Sequence, residues 1–204
     1  MLVHLVRHAA HDHLGRTLTG RTFDVSLSQA GRDQARALGR HLAQTDADAV
    51  LTSPRLRALQ TAEPIAGAIG CPVEVSEDLD EIDFGHWSGQ SFEMLDEDPL
   101  WQAWNADRAN ARTPAGETMR DVAIRLMRLI EDATARLPGR TAVLVSHGDV
   151  IKAGVCHCLG LPFCDLHRFE IAPASVTTIA FGDGGCSVIA VNRPCPPETG
   201  RIAA

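Results

Sequence analysis

Two histidines stand directly after short apolar runs. Leu2 to Val6 is followed by Arg7-His8, and Ala142 to Val145 is followed by Ser146-His147-Gly148. A third run, Ala49 to Thr52, leads into Ser53-Pro54-Arg55, with Arg57 a step further on. A fourth, Val73 to Val75, leads into the acidic stretch Glu77-Asp78-Leu79-Asp80-Glu81. Arginine offers a planar fork of donors that matches phosphate oxygens. A neutral imidazole nitrogen is a good nucleophile, and nearby arginine charge keeps it neutral. A carboxyl group with a raised pKa can protonate a leaving alkoxide. If these residues converge, the chemistry they suit is phosphoryl transfer through a phosphohistidine, with side-chain cations in place of a metal.

Convergence depends on the elements that carry them. The apolar runs are short and rich in aliphatic residues, as buried strands are. Between them lie helical patterns. Ser28 caps a predicted helix to about Gln44, with Ala35, Leu38 and Leu42 on one face. Leu56, Leu59, Ala62, Ile65 and Ile69 follow helical spacing, with Pro64 inside. Thr118 to Leu137 is the clearest amphipathic stretch, and a helix is expected from Asp149 to Leu159. Val176 to Phe181 and Cys186 to Val191 flank Gly182-Asp183-Gly184-Gly185, a hairpin pattern. The tail from Arg193, with Pro194, Pro196 and Pro197, is expected to be loose. This order predicts an α/β fold: a three-layer sandwich with a mostly parallel central sheet, one antiparallel edge strand and helices on both faces. In such sheets ligands bind beyond the carboxyl ends of the strands, where these residues sit. The helix N-terminus at Gly148 adds backbone N–H groups for an anion. One domain is expected over 1–204, with an insertion of short helices at about 83–114 that holds Trp87, Trp101 and Trp104.

Composition sets bounds. The chain has 204 residues and a formal net charge of −7, which argues against a general nucleic-acid binder. No apolar run approaches the roughly 18 residues of a membrane span, and the first residues lack a basic leader, so a cytoplasmic protein is expected. The six cysteines are expected to be reduced. Cys156-His157-Cys158 with Cys164 and His167 superficially resembles metal-ligand spacing, but residues two apart on a helix face different ways, so no metal site is assigned. No cofactor is expected, and the exposed edge of the hairpin could pair with a second copy as a homodimer.

The same residues carry a family resemblance. Leu5-Val6-Arg7-His8 resembles the Arg-His-Gly signature of the histidine phosphatase superfamily, which includes cofactor-dependent phosphoglycerate mutase. The segments 53–62, 79–89, 115–118 and 145–148 resemble its later motifs in the family's order. The resemblance implies that His8 is phosphorylated and then dephosphorylated, that Arg7, Arg57 and His147 hold the phosphoryl oxygens, and that Glu81 is acid and then base. It implies a metal-independent phosphomonoesterase acting on a small phosphorylated metabolite. The alternatives are mutase-type phosphoryl transfer or a catalytically weak phosphate-binding protein. Two departures stand out. Ala9 replaces the family's glycine, which restricts the backbone if that position needs positive φ. Leu14 replaces an asparagine that helps bind phosphate, for which His11, His13 or Arg16 is expected to compensate.

Overall fold

The computed structural model describes residues 1–22 and 25–195. Six strands form one sheet: β1 (Leu2–Arg7), β2 (Ala49–Thr52), β3 (Val73–Val75), β4 (Thr141–Ser146), β5 (Ser175–Gly182) and β6 (Gly185–Pro194), in the order β3-β2-β4-β1-β5-β6. The first four run parallel, and β5 and β6 complete the sheet as an antiparallel edge pair. The hairpin turn is two residues, Asp183-Gly184.

Alternation along the strands builds two cores. Val3, Leu5, Ala142 and Leu144 pack on one face with α5 (Met119–Arg136) and α6 (Gly148–Leu159). Val6, Val143 and Val145 pack on the other with α1 (Gln29–Leu42) and α2 (Leu56–Ile69). The expected Ser28 cap forms, and α5 has a cap that the sequence reading did not name. The Ser28 hydroxyl accepts from Gly31 N, and Thr118 and Asp121 close a reciprocal capping box that starts α5. Pro64 lies inside α2.

The segment from 83 to 114 carries a 3-10 turn and two short helices, α3 (Phe92–Asp96) and α4 (Pro99–Ala106). Its three tryptophans are buried together with Phe84, and Trp101 and Trp104 stack at 5.4 Å. The Trp87 indole donates to Asp98 Oδ2 at 2.8 Å. Backbone bonds from Phe92 N to Arg16 O, 3.0 Å, and from Gly89 N to Leu18 O, 2.8 Å, fasten this segment to the loop that follows His8.

One expectation is corrected. Arg193 and Pro194 are strand rather than loose tail, because they pair with Val176 and Ser175 at the end of β6. A proline is tolerated there because an outer strand need not donate from every N–H. Pro196 and Pro197 lie outside the described residues.

The loop after β1 is held by α1. Ser28 N donates to Ala10 O at 3.0 Å, Ala10 N donates to the Gln34 side chain at 3.0 Å, and a Cβ on Gly31 would come within 1.9 Å of Ala10 O. Gly31→Ala is therefore expected to destabilise the fold by about 1–3 kcal/mol through forced backbone displacement. Gly67→Ala, in open space on α2, is expected to gain a few tenths to about 1 kcal/mol. Urea unfolding of both variants measures the contrast.

Candidate active site

Strands β1 and β4 are neighbours in register, Arg7 opposite Ser146, so the residues that follow them meet. His8 N donates to Ser146 O at 2.9 Å, which extends the ladder past the strand end. The His8 and His147 rings lie 5.2 Å apart between centroids. His8 Nδ1 lies 2.9 Å from the Ala9 carbonyl oxygen, which can only accept, so Nδ1 carries the proton and Nε2 keeps its lone pair. Burial, then Arg57 and Arg7, hold the His8 pKa well below its ordinary value. The imidazole is neutral with a free nitrogen.

His147 has the opposite tautomer. Arg57 Nη2 lies 3.1 Å from His147 Nδ1 and can only donate, so His147 Nε2 carries the proton. That N–H donates to the Ser53 hydroxyl at 2.8 Å, and Ser53 donates to Asp80 Oδ1 at 3.3 Å. A directed chain thus runs from Arg57 through His147 and Ser53 to Asp80. Burial and Arg57 lower the His147 pKa as well.

The two arginines after β2 have different surroundings. Arg55 forms a bidentate pair with Asp80, at 2.8 Å through Nε and 2.7 Å through Nη2. Arg57 is fully buried, and its Nη2 also donates to Gly20 O at 2.7 Å. Its Nε and Nη1 have no partner, nor does Arg7 Nε. Neither Arg7 nor Arg57 has a carboxylate within 4.0 Å among the described residues. Four of the seven buried side-chain nitrogens and oxygens found without a partner belong to Arg7, Arg57 and His11. Buried donors are nearly always satisfied, so their clustering here marks an anion site.

Of the acidic stretch, Asp80 and Glu81 turn inward. Asp80 also accepts from Glu81 N at 2.8 Å, and Arg21 Nε donates to Glu81 O at 2.8 Å. The Glu81 carboxyl is 13% exposed and sits 3.8 Å from His147 Nδ1. Burial first, and then the Asp149 charge, push its pKa up to about 7. Glu77 and Asp78 lie in a 3-10 turn that precedes them. Glu117, from the turn before α5, accepts from Arg21, Arg125 and the Asp83 backbone, and so ties the Glu81 loop down.

A cavity of about 260 Å³ opens over these groups, with Arg7, His8, Glu81 and Gly148 in its wall. Arg57 and His147 lie beneath it as fully buried groups. Leu14 lines the cavity, whereas Arg16 is exposed and outside the lining, as is His13. His11 is in the wall, 5% exposed, with its ring 5.4 Å from that of His8 and its pKa lowered to about 4, first by burial. Sequence reasoning left it as one of three compensating residues. Asp149, Lys152 and Glu170 also line the wall and were not singled out. For Lys152 the signal was helical phase, one turn after Gly148, and for Glu170, which lies beyond α6, there was none. Ala9 raises no backbone conflict. Its φ is not positive, its N–H donates to Thr61 at 3.0 Å, and its methyl is fully buried.

The profile of the histidine phosphatase superfamily, branch 1, matches residues 3–194. The chain belongs to this family. Among family relatives, phosphoserine phosphatase 1 of Hydrogenobacter thermophilus is 28% identical over 193 residues, 94% of this chain and 92% of its own length. An acid phosphatase of Mycobacterium tuberculosis is 32% identical over 185 residues, 88% of this chain and 86% of its own. The solved structure of mycobacterial glucosyl-3-phosphoglycerate phosphatase superposes with a TM-score of 0.85 at 27% identity, covering 94% of this chain and 98% of that one.

The cysteines outside this histidine phosphatase site are unpaired, and Cys156 is buried in the core, where burial pushes its thiol up to about 11. No group of three His, Cys, Asp or Glu among the described residues is arranged to hold a metal ion. No helix among them is long and apolar enough to cross a membrane.

The contrast between the arginines has a measurable consequence. Removing one partner of a buried ion pair leaves the other uncompensated, so Asp80→Ala is expected to cost about 3–5 kcal/mol. Arg57→Met removes a buried charge that has no carboxylate partner, and is expected to leave the ligand-free protein at least as stable as the parent. Denaturant titration in phosphate-free buffer compares the two.

Proposed function

We propose that the chain is a phosphomonoesterase that hydrolyses a small phosphorylated metabolite through a phosphohistidine on His8. The observation that carries this reading is the free Nε2 of a buried, neutral His8 beside guanidinium donors that have no partner. The family membership and the phosphatase names of its relatives agree with it.

In the first step Nε2 attacks phosphorus and the bond to the ester oxygen breaks. Glu81 gives its proton to the departing alkoxide. The imidazolium formed on His8 keeps its Nδ1–H on the Ala9 carbonyl, which stabilises the new charge. Arg7, Arg57 and the backbone at Gly148 hold the equatorial oxygens. As the phosphoryl dianion enters, His147 takes up a proton from solvent at Nδ1, Arg57 Nη2 turns from that nitrogen to a phosphoryl oxygen, and the new Nδ1–H donates to the phosphoryl group. In the second step Glu81 takes a proton from water, the water oxygen bonds to phosphorus, and the P–N bond breaks. Inorganic phosphate leaves and His8 is neutral again. The segment at 83–114 acts as a lid, with Phe84 and Phe92 in the cavity wall. Six free thiols fit a reducing cytoplasm.

His8→Ala is expected to abolish turnover and the acid-labile phosphoprotein trapped in a rapid quench. A fully active variant, or a wild type with no hydrolysis of any phosphomonoester, overturns the reading. Glu81→Gln is expected to lose about 10²–10⁴-fold on an alkyl phosphate and less on an aryl phosphate, whose leaving group needs no proton.

The pH dependence follows from the same groups. A carboxyl raised to about 7 is protonated below that pH, so kcat/KM for an alkyl phosphate falls as pH rises through about 7. The limb is expected to be absent in Glu81→Gln. The raised pKa also means that Glu81 favours the folded state fully below its ordinary pKa, and that this contribution is lost as pH rises through about 7. His8 has the opposite sign: its contribution is present above the ordinary histidine pKa and lost as pH falls through its lowered value.

A further inference from the structure

Lysine occurs once in this chain. Arginine supplies every other basic side chain apart from the histidines, and Lys152 is the single exception in 204 residues. It lies in the wall of the catalytic cavity. It stands on α6 one turn beyond Gly148, on the helix face that looks onto the phosphoryl site.

The side chain is only 14% exposed, yet its one ionic contact among the described residues is with Glu170 at 3.5 Å, a carboxylate that is itself 77% exposed. An exposed partner holds an ammonium weakly. Lys152 and Glu170 also line a second cavity of about 320 Å³, together with Arg108 and His167. The pair thus forms the partition between the phosphoryl site and an adjoining basic chamber. The carboxylate that α6 itself carries, Asp149, is occupied by Arg108 at 2.9 Å. Arg108 in turn lies over Trp104 at 4.1 Å, which fixes it to the buried tryptophan cluster. The rigid cation in this wall is therefore already paired, and the flexible one has a displaceable partner. A compact ammonium on a four-carbon stem suits a single anionic group whose position varies with the bound molecule.

We propose that Lys152 determines specificity by binding a carboxylate on the alcohol portion of the substrate, which displaces Glu170. The substrate class is then phosphate esters of small hydroxy or amino acids, with the phosphoryl group over His8 and the carboxylate at the partition. This rests on the phosphatase reading above and narrows it.

The test compares molecules of one size that differ in the carboxylate. Wild-type kcat/KM is measured for 3-phosphoglycerate, phosphoserine and glycerol 3-phosphate. A preference of about tenfold to a hundredfold for at least one carboxylated ester is expected, the range of one charge-assisted hydrogen bond. Lys152→Met is expected to bring that ratio close to one, chiefly through KM, and Lys152→Arg to restore part of it. Glu170→Gln is expected to lower KM for the carboxylated ester, because the competing carboxylate is gone. An unchanged ratio in Lys152→Met, or an equal loss on all three esters, overturns the proposal. If the wild type hydrolyses p-nitrophenyl phosphate but shows no preference, the proposal fails and the phosphatase reading stands. If it hydrolyses nothing, the phosphatase reading fails. Calorimetric binding of 3-phosphoglycerate and glycerol 3-phosphate to wild type and Lys152→Met then decides the lysine's role by the same ratio.

Discussion

The site is organised around positive charge held out of water with no carboxylate beside it. Arg57 is fully buried, Arg7 is half-buried in the cavity wall, and between them three guanidinium N–H positions have no partner. Such a state is costly on its own and becomes favourable when a dianion enters. Its effects spread outward. Burial first, and then this charge, keep His8 and His147 neutral at pH values where free histidine would begin to protonate. It also limits how far Glu81 can rise, because burial and Asp149 push the carboxyl up while Arg57 and Arg7 pull it down.

Keeping those arginines free requires that the nearby carboxylates be engaged elsewhere. Asp80 accepts from Arg55, Ser53 and the Glu81 backbone, and Glu117 accepts from Arg21, Arg125 and the Asp83 backbone. The ion pairs of this region therefore position a loop more than they stabilise the fold. They place one carboxyl, Glu81, close to His147 and leave Arg7 and Arg57 without a carboxylate partner among the described residues.

Much of this was legible in the sequence because it depends on where strands end. Short apolar runs followed by Arg7-His8 and Ser146-His147 put both histidines beyond the carboxyl ends of the strands as soon as the sheet is parallel. The choice of Arg57 over Arg55, and of Glu81 within its acidic stretch, needed the family resemblance; the structure supplies a physical contrast in the bidentate Arg55–Asp80 pair. What stayed hidden is the cavity wall. His11 and Arg16 occupy the same loop, which backbone bonds join to the 83–114 segment, and one faces the cavity while the other is exposed. Lys152 and Glu170 are distant in sequence and meet through tertiary packing alone. The pairing of Arg193 and Pro194 was also unreadable, since proline near a chain end suggests loose structure unless its partner strand is known.

The hydrogen bond from His8 N to Ser146 O has a wider meaning. It makes the His8 backbone part of the sheet's central ladder, while most of the cavity wall comes from loops and from one turn of a helix. Reaction machinery and substrate choice therefore rest on different mechanical supports. A lineage built on this frame can exchange wall residues and acquire new substrates while the geometry around the reacting nitrogen stays as it was.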